Sequence, residues 1–549
     1  MKALVVLLVL SLLSLASAMP APAQTLPPGG TFWDDDGNVH EGYIEAIAAA
    51  DITRGCGGEY ADEYCPHGEV TRAQMAAFLA RALDLPRLTE TDWFTDDNAS
   101  IFEDSINRLA DSGITSGCRP DLYCPSDYVT RGEMAAFLVR ALQLPAGPEA
   151  FVDDNGSLFE SDINALAASG VTAGCNPPAN DRFCPGNDVR RDQMASFLGR
   201  GLDLTPLAVP PRPTFTVSFT GDLLLHMPVN NAAEAYGDLS GEAYDFRPMF
   251  DEVEPFLAGA DLAICHLEVP LSPTSTGLSG YPSFQGPAEL ADAIVYAGYD
   301  GCSVASNHSY DRSQTGVINT IDVLESRGLG FSGMARTEDE RLRTPLYEVN
   351  GVNVAHLSYT YGLNGLILPS DKPWLVNLID EDTMLTDAAR ARGDGADVVI
   401  TSIHWGTEYQ TTPTSFQDDL GHALIASDDI DLVIGHHAHV VQPIELVDDE
   451  YIVYGLGNFL SNQQWSLPTQ DGVIVTVEFA ERNGQWVAYG ATYTPTWVQG
   501  GTFRILPAAE AIASGTESSA TEASLESSWN RTDSAINQKT NDAVPTATP

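Results

Sequence analysis

The sequence predicts two folds in one chain: all-α helix-pair repeats in the N-terminal region, then an α/β domain. Three observations carry this. A cysteine-bearing motif recurs with a period of about sixty residues. Beyond a Pro-rich stretch, short apolar runs alternate with helical patterns. Five of those runs end on Asp, Glu, Asn or His, the positions where open α/β sheets build their sites.

A chain of 549 residues exceeds one ordinary core, so several units joined by linkers are expected. With 44% apolar and 19% charged residues it has the composition of a folded soluble protein, and no interior stretch approaches the ~20 apolar residues that cross a bilayer. The start differs. Lys2 precedes an apolar run over 3–15 and then Ala16-Ser17-Ala18, the pattern of a secretory signal peptide, with Ala21-Pro22-Ala23 as a second cleavage candidate. Residues 1–23 are assigned to that signal, which predicts a secreted protein with no transmembrane segment after cleavage. The formal charge of -49 excludes nucleic acid as a partner, because phosphate binding needs clustered Lys or Arg. Such acidity reads as a repulsive, salt-tolerant surface.

The repeats span 30–88, 89–147 and 148–205. FTDDNASIFEDSINRLADSGITSGC (94–118) aligns with FVDDNGSLFESDINALAASGVTAGC (151–175), and the looser FWDDDGNVHEGYIEAIAAADITRGC (32–56) is in register. After each comes a Cys-Pro turn and a second helix. In the middle repeat, Met134, Phe137, Leu138 and Leu142 fall at helical spacing and form an apolar face. Cys56/Cys65, Cys118/Cys124 and Cys175/Cys184 read as local disulfides behind a signal peptide. Zinc fits less well, since no second CxxC half or His pair accompanies them. The acidic runs Asp96-Asp97 and Asp153-Asp154 precede the first helix, where capping and the helix dipole favour acids. The ligand spacing of a calcium loop is missing.

These repeats resemble S-layer-homology modules, three in tandem, with Thr71-Arg72-Ala73-Gln74 and Thr130-Arg131-Gly132-Glu133 matching their signature and Arg190-Arg191-Asp192-Gln193 lacking the Thr. The resemblance implies docking on anionic cell-wall polysaccharide, with Arg72, Arg131 and Arg191 as contacts. The alternative is that these arginines pair with acids inside the repeats.

Residues 206–213 are a Pro-rich linker. The large domain covers 214–506. The tail 507–549, rich in Ala, Ser, Thr and Glu, is expected to be disordered.

Within the large domain, TFTVSFT runs into Gly221-Asp222 and then His226, DLAICHL into Glu268, and GYDGCSVAS into Asn307-His308 and Asp311. ADVVITSI ends at His404-Trp405-Gly406, and DLVIG at His436-His437-Ala438-His439. Singly, each is an ordinary strand-end residue. Together they supply oxygen and imidazole donors without cysteine, a set suited to Mn, Fe or Zn. On an extended segment alternate residues point the same way, so His437 and His439 can face one cavity.

The combination resembles the calcineurin-like metallophosphatases, and more closely their capsule-synthesis (CapA, poly-γ-glutamate) branch. The matching pieces are Gly221-Asp222, Leu267-Glu268, Ser306-Asn307-His308 with Asp311 and Gly316, His404-Trp405-Gly406, Gly435 to Val440, and Tyr454-Gly455-Leu456-Gly457-Asn458-Phe459. The resemblance implies an αββα sandwich with divalent metal, two ions of Mn, Fe or Zn, held by Asp222, Glu268, Asn307, His404, His437 and His439. It makes His308 the acid that protonates a leaving oxygen, with Asp311 holding it. Asp222 and His226 are four apart where the general pattern has two, so His226 is either a ligand or a substrate contact. His266 stands where the capsule branch commonly has Asn. Cys265 and Cys302 fit a disulfide and two buried small residues equally.

The expectation is thus an exported, wall-attached hydrolase of phosphoesterase type, acting in capsule, poly-γ-glutamate or envelope polymer biosynthesis. Two alternatives remain: an extracellular phosphoesterase for nucleotides or wall phosphodiesters, and a non-catalytic protein that tethers an anionic polymer.

Overall fold

The computed structural model describes residues 26–57, 62–539 and 544, so the signal-peptide reading of 1–23 lies outside the described residues. The chain divides into two compact units between Pro213 and Thr214.

The first unit holds α1 Glu41–Ala49, α2 Arg72–Ala82, α3 Glu103–Asp111, α4 Arg131–Leu142, α5 Glu160–Ala168 and α6 Arg191–Gly201. Helices pair across repeats rather than within them: α2 packs on α3, α4 on α5, and α6 closes back on α1. The three repeats therefore form a ring. At its centre Val129 N donates to Val70 O, Val70 N to Val189 O, and Val189 N to Val129 O, at 2.8–3.0 Å. All three valines are fully buried. The Thr-Arg signature begins α2 and α4 as capping boxes, Thr71 with Gln74 and Thr130 with Glu133, whereas Arg190 leaves α6 without a side-chain cap.

Two expectations are corrected here. Arg72, Arg131 and Arg191 do not present themselves to a polymer: each is about 95% buried. Arg72 Nε donates to Tyr123 O at 2.9 Å, Arg131 Nε to Phe183 O at 2.8 Å and Arg191 Nε to Tyr64 O at 2.7 Å, so each arginine ties its repeat to the next. Of the three, Arg72 also meets an acid, Glu133 at 3.1 Å. The acidic runs do not cap α3 and α5 either, whose N-cap positions carry no side-chain cap. Instead Asp96 accepts from Tyr123 N and Cys124 N, and Asp153 from Phe183 N and Cys184 N, at 2.7–2.9 Å. These carboxylates hold the loop closed by each disulfide. Cys56–Cys65, Cys118–Cys124 and Cys175–Cys184 are bonded as expected.

Among the described residues the second unit carries sixteen strands. In chain order they begin β1 Thr214–Leu224, β2 Leu262–Leu267, β3 Leu271–Ser272, β4 Gly286–Pro287, β5 Gly301–Ser303, β6 Gly330–Ser332, β7 Leu346–Val349 and β8 Val352–Thr360. They continue β9 Val398–His404, β10 Leu432–His436, β11 Ile444–Val447, β12 Glu450–Val453, β13 Asn458–Ser461, β14 Asp471–Arg482, β15 Gln485–Val498 and β16 Ile505–Pro507. One sheet runs β16-β15-β14-β1-β2-β5-β6, with β13 also paired to β1, and the other runs β11-β12-β10-β9-β8-β7. From β1 to β6 and from β8 to β12 neighbouring strands are parallel.

Alternation along the strands builds a four-layer αββα sandwich, as expected. Phe215, Val217, Phe219, Leu262 and Ile264 of the first sheet share a core with Val398, Ile400, Leu432 and Ile434 of the second. The outer faces of the sheets are apolar as well. Ala263, Cys265 and Leu267 pack with residues of the helices Met227–Ser240, Glu289–Tyr296 and Ser313–Glu325, while Val399, Ile403 and Val433 pack with Glu381–Gly393 and Ser415–Ile425. Cys265 and Cys302 sit opposite one another on β2 and β5 and are joined, which decides between the two readings of that pair.

The tail is a further correction. Residues 508–514 and 519–536 are helical, Leu525 and Ile536 are buried, and Arg531 grips the buried Asp471 of β14 at 2.7 and 2.8 Å. Few apolar residues suffice because the helix covers an existing sheet rather than building its own core. No described helix is long and apolar enough to cross a membrane.

Candidate metal centre

Parallel strands converge at their carboxyl ends, and the chemistry-bearing residues are there. Asp222 lies near the end of β1, Glu268 follows β2, Asn307 and His308 follow β5, and His404 and His436 close β9 and β10. Close backbone contacts explain the neighbouring glycines. A Cβ at Gly221 would lie 2.1 Å from Gly457 O, and one at Gly435 would lie 1.9 Å from Tyr454 O. Trp405 is fully buried and its indole N–H donates to Tyr454 O at 3.0 Å. Asn458 faces Asp222 in register and its Oδ1 lies 3.2 Å from His439 Nδ1. The Tyr-Gly-Leu-Gly-Asn run therefore props the histidine loop from beneath.

All six expected ligands meet in one buried pocket. Asp222 Oδ2 is 2.9 Å from His439 Nδ1, Glu268 Oε1 is 3.9 Å from His439 Nε2 and 4.0 Å from His404 Nε2, and Asn307 Oδ1 is 3.1 Å from His404 Nε2. The His437 ring lies 4.6 Å from that of His404. His437 and His439 both have positive φ, 88° and 55°, so backbone strain is concentrated where the two rings are aimed.

The donor set fits divalent cations. Both oxygens of Glu268 and Oδ1 of Asp222, together with Nδ1 of His436 and of His437, are buried without a hydrogen-bond partner. So many orphaned buried polar atoms would be costly unless a cation engages them. Burial pushes the Glu268 carboxyl above the usual range, while it opposes ionisation of Asp222 less than His436 and His439 favour it, leaving Asp222 well below that range. Burial also lowers His437 to about 3 and holds His404 and His266 well below the ordinary imidazole value. Burial opposes a charge on His439 as well, but Glu268 and Asp222 outweigh it and push that ring up to about 9, so a cation binding there would displace its proton. Neutral His404 and His437 and ionised Asp222 are already in the forms that bind metal.

Three further residues join this pocket. His436 Nδ1 is 3.6 Å from Asp222 Oδ1, and the His266 ring stacks on the His436 ring at 4.0 Å. A Glu408 carboxylate oxygen lies within 4.8 Å of ring nitrogens of both His437 and His439. Position at the end of an apolar run could have flagged His436, whereas Glu408 lies in an irregular segment with no periodic signal.

At the pocket's edge His308 Nδ1 is 2.8 Å from Asp311 Oδ2, which also accepts from Phe284 N at 2.6 Å. The Phe284 ring contacts His308 edge-on at 4.6 Å and His226 at 5.3 Å. Burial lowers His226 to about 4, and it lines the mouth one ring away from His308.

Residues 216–463 match the family described as bacterial capsule synthesis protein PGA_cap, a span that contains every one of these donors. The large unit belongs to the capsule-synthesis CapA family. The CapA-type unit is 26% identical over 294 residues to the capsule biosynthesis protein CapA of Bacillus anthracis, covering 51% of this chain and 68% of that one. It is 26% identical over 296 residues to the PGA biosynthesis protein CapA of Bacillus subtilis, covering 53% and 74%. In the first unit, residues 94–135 match the S-layer homology domain. The solved calcineurin-like phosphoesterase YfkN from Bacillus subtilis overlaps 58% of this chain and 100% of its own at 13% identity and a TM-score of 0.33. The fold assignment of the CapA-type unit rests on its sheet order and layers.

Proposed function

We propose that the chain is an exported, wall-attached, metal-dependent hydrolase of phosphoesterase type that acts in capsule, poly-γ-glutamate or envelope polymer metabolism. One observation carries the catalytic reading: a pocket of orphaned carboxylate and imidazole donors stands beside a His308–Asp311 pair that the donors do not need. Asp222, Glu268, Asn307, His404, His437 and His439 would hold two ions of Mn, Fe or Zn. Bound there, such ions supply Lewis-acid stabilisation of developing charge and an activated water.

The chain's own residues supply the rest. Asp311 accepts the Nδ1 proton of His308 and fixes the ring, leaving Nε2 to carry a proton to the leaving oxygen. Phe284 packs on that ring and excludes water from one side. A polymer-tethering site has no use for this dyad, which favours turnover over binding alone. The S-layer homology match supports attachment of the first unit to cell-wall polysaccharide, through surfaces other than Arg72, Arg131 and Arg191.

Metal analysis of the full chain, paired with p-nitrophenol release from mono- and diester substrates, tests this. About two ions per chain and activity lost on chelation are expected. A metal-free chain would overturn the reading, and metal without turnover on any phosphoester would leave tethering. Sedimentation with purified cell-wall sacculi tests attachment, and a chain that stays in solution counts against it.

A further inference from the structure

Glu408 stands four residues after His404, and its backbone is arranged to bring it to the histidine loop. Tyr409, next in the chain, adopts φ 68° and donates its N–H to Ala438 O at 2.7 Å, so the segment is pinned between His437 and His439. A positive φ on a tyrosine is unfavourable and persists only where the surroundings enforce it. The Tyr409 ring packs edge-on against Trp465 at 4.5 Å and lies 6.1 Å from the His439 ring. The consequence is the triangle of Glu408, His437 and His439, whose donor atoms all lie within 4.8 Å of one another. Asp222 and Glu268 are buried, whereas Glu408 is exposed. It therefore closes the solvent side of a pocket whose other carboxylates lie inside.

We propose that Glu408 is a third carboxylate ligand of the metal centre and that it selects singly charged phosphodiesters over phosphomonoesters. The inference rests on the two-ion reading above. Two divalent ions bring four positive charges, and Asp222 and Glu268 remove two. Glu408 removes a third, leaving one. A phosphomonoester carries close to two negative charges at neutral pH and a diester carries one, so the pocket with Glu408 is matched to the diester. The same carboxylate saturates a coordination position on the His437 and His439 side that would otherwise be left to water.

The test compares full-length wild type with Glu408→Gln. Each is loaded with Mn2+, and ions per chain are counted by plasma mass spectrometry, with affinity from calorimetry. Because Glu408 is exposed, the substitution leaves folding intact, and circular dichroism checks it. Loss of an outer-shell partner already weakens metal binding by about 10–100-fold, so loss of a direct ligand is expected to cost at least tenfold or one ion per chain. On p-nitrophenyl phosphate and bis(p-nitrophenyl) phosphate the variant is expected to shift preference toward the monoester. Wild type that holds two ions alongside a variant with the same ion count and affinity overturns the role of Glu408 and spares the metal reading. An unchanged ester preference overturns the charge selection. Wild type without metal overturns both.

Discussion

His266 Nε2 lies 3.0 Å from His404 Nδ1, and the other His266 nitrogen lies 2.7 Å from Ser303 Oγ. Ser303 Oγ is in turn 3.4 Å from Cys265 O. The relay runs one way when His404 binds metal through Nε2: its Nδ1–H donates to His266, whose Nδ1–H donates to Ser303. His266 would thus set both tautomer and ring angle of His404 as a ligand. His266→Ala is expected to weaken Mn2+ binding by about 10–100-fold, read by calorimetry, with His266→Asn restoring part of it because the amide can still accept at that position. Equal affinity in all three proteins would remove His266 from this role.

His308→Ala separates chemistry from metal binding. Turnover is expected to fall by about 10²–10⁴-fold while the ion count is kept. Asp311→Ala is expected to lie between, since the ring remains but loses its 2.8 Å anchor. Rates measured beside metal analysis check both, and unchanged turnover in the His308 variant would refute the leaving-group role.

Arg191 joins the last repeat to the first. Its guanidinium stacks 4.7 Å above the Tyr64 ring as well as donating to the Tyr64 carbonyl. Arg191→Ala leaves that buried acceptor unpaired and removes the stacking, with an expected loss of roughly 2–4 kcal/mol in the repeat unit. Denaturant unfolding measures it. Sacculus binding at temperatures where the variant stays folded is expected to be unchanged, the opposite of what a direct polymer contact would give.

Asp35 is buried with both carboxylate oxygens unpartnered, and burial, with Glu45 next, pushes its pKa up to about 8. The folded state therefore holds a proton that the unfolded state releases near pH 4. Stability from this group is complete below that value and falls as pH rises toward 8, because the unfolded chain then binds fewer protons. Asp35→Asn keeps the neutral form at every pH. Its melting temperature is expected to match wild type near pH 4 and to exceed it increasingly up to pH 8. Scanning calorimetry across that range checks the trend, and a constant difference would contradict it.

Much of this was legible from the chain alone. Asp222, Glu268, Asn307, His404, His437 and His439 stood out because each ends a short apolar run, and a parallel sheet carries all such ends to one edge. The three repeats and their cystines were equally plain, since their signals are local in sequence. The reach of Arg191 was not legible, because its partner Tyr64 lies 127 residues away and repeat similarity does not say which neighbour an arginine meets. Nor was the docked helix 519–536, whose few apolar residues become sufficient only once β14 and β15 offer a face to cover. Glu408 and His266 belong to the same class. Residue types and periodicity determined the two folds and the donors, which depend on local patterns of burial. Tertiary structure alone decided which side chains share a cavity, because hydrogen bonds and ion pairs act over a few ångströms in space whatever their separation along the chain.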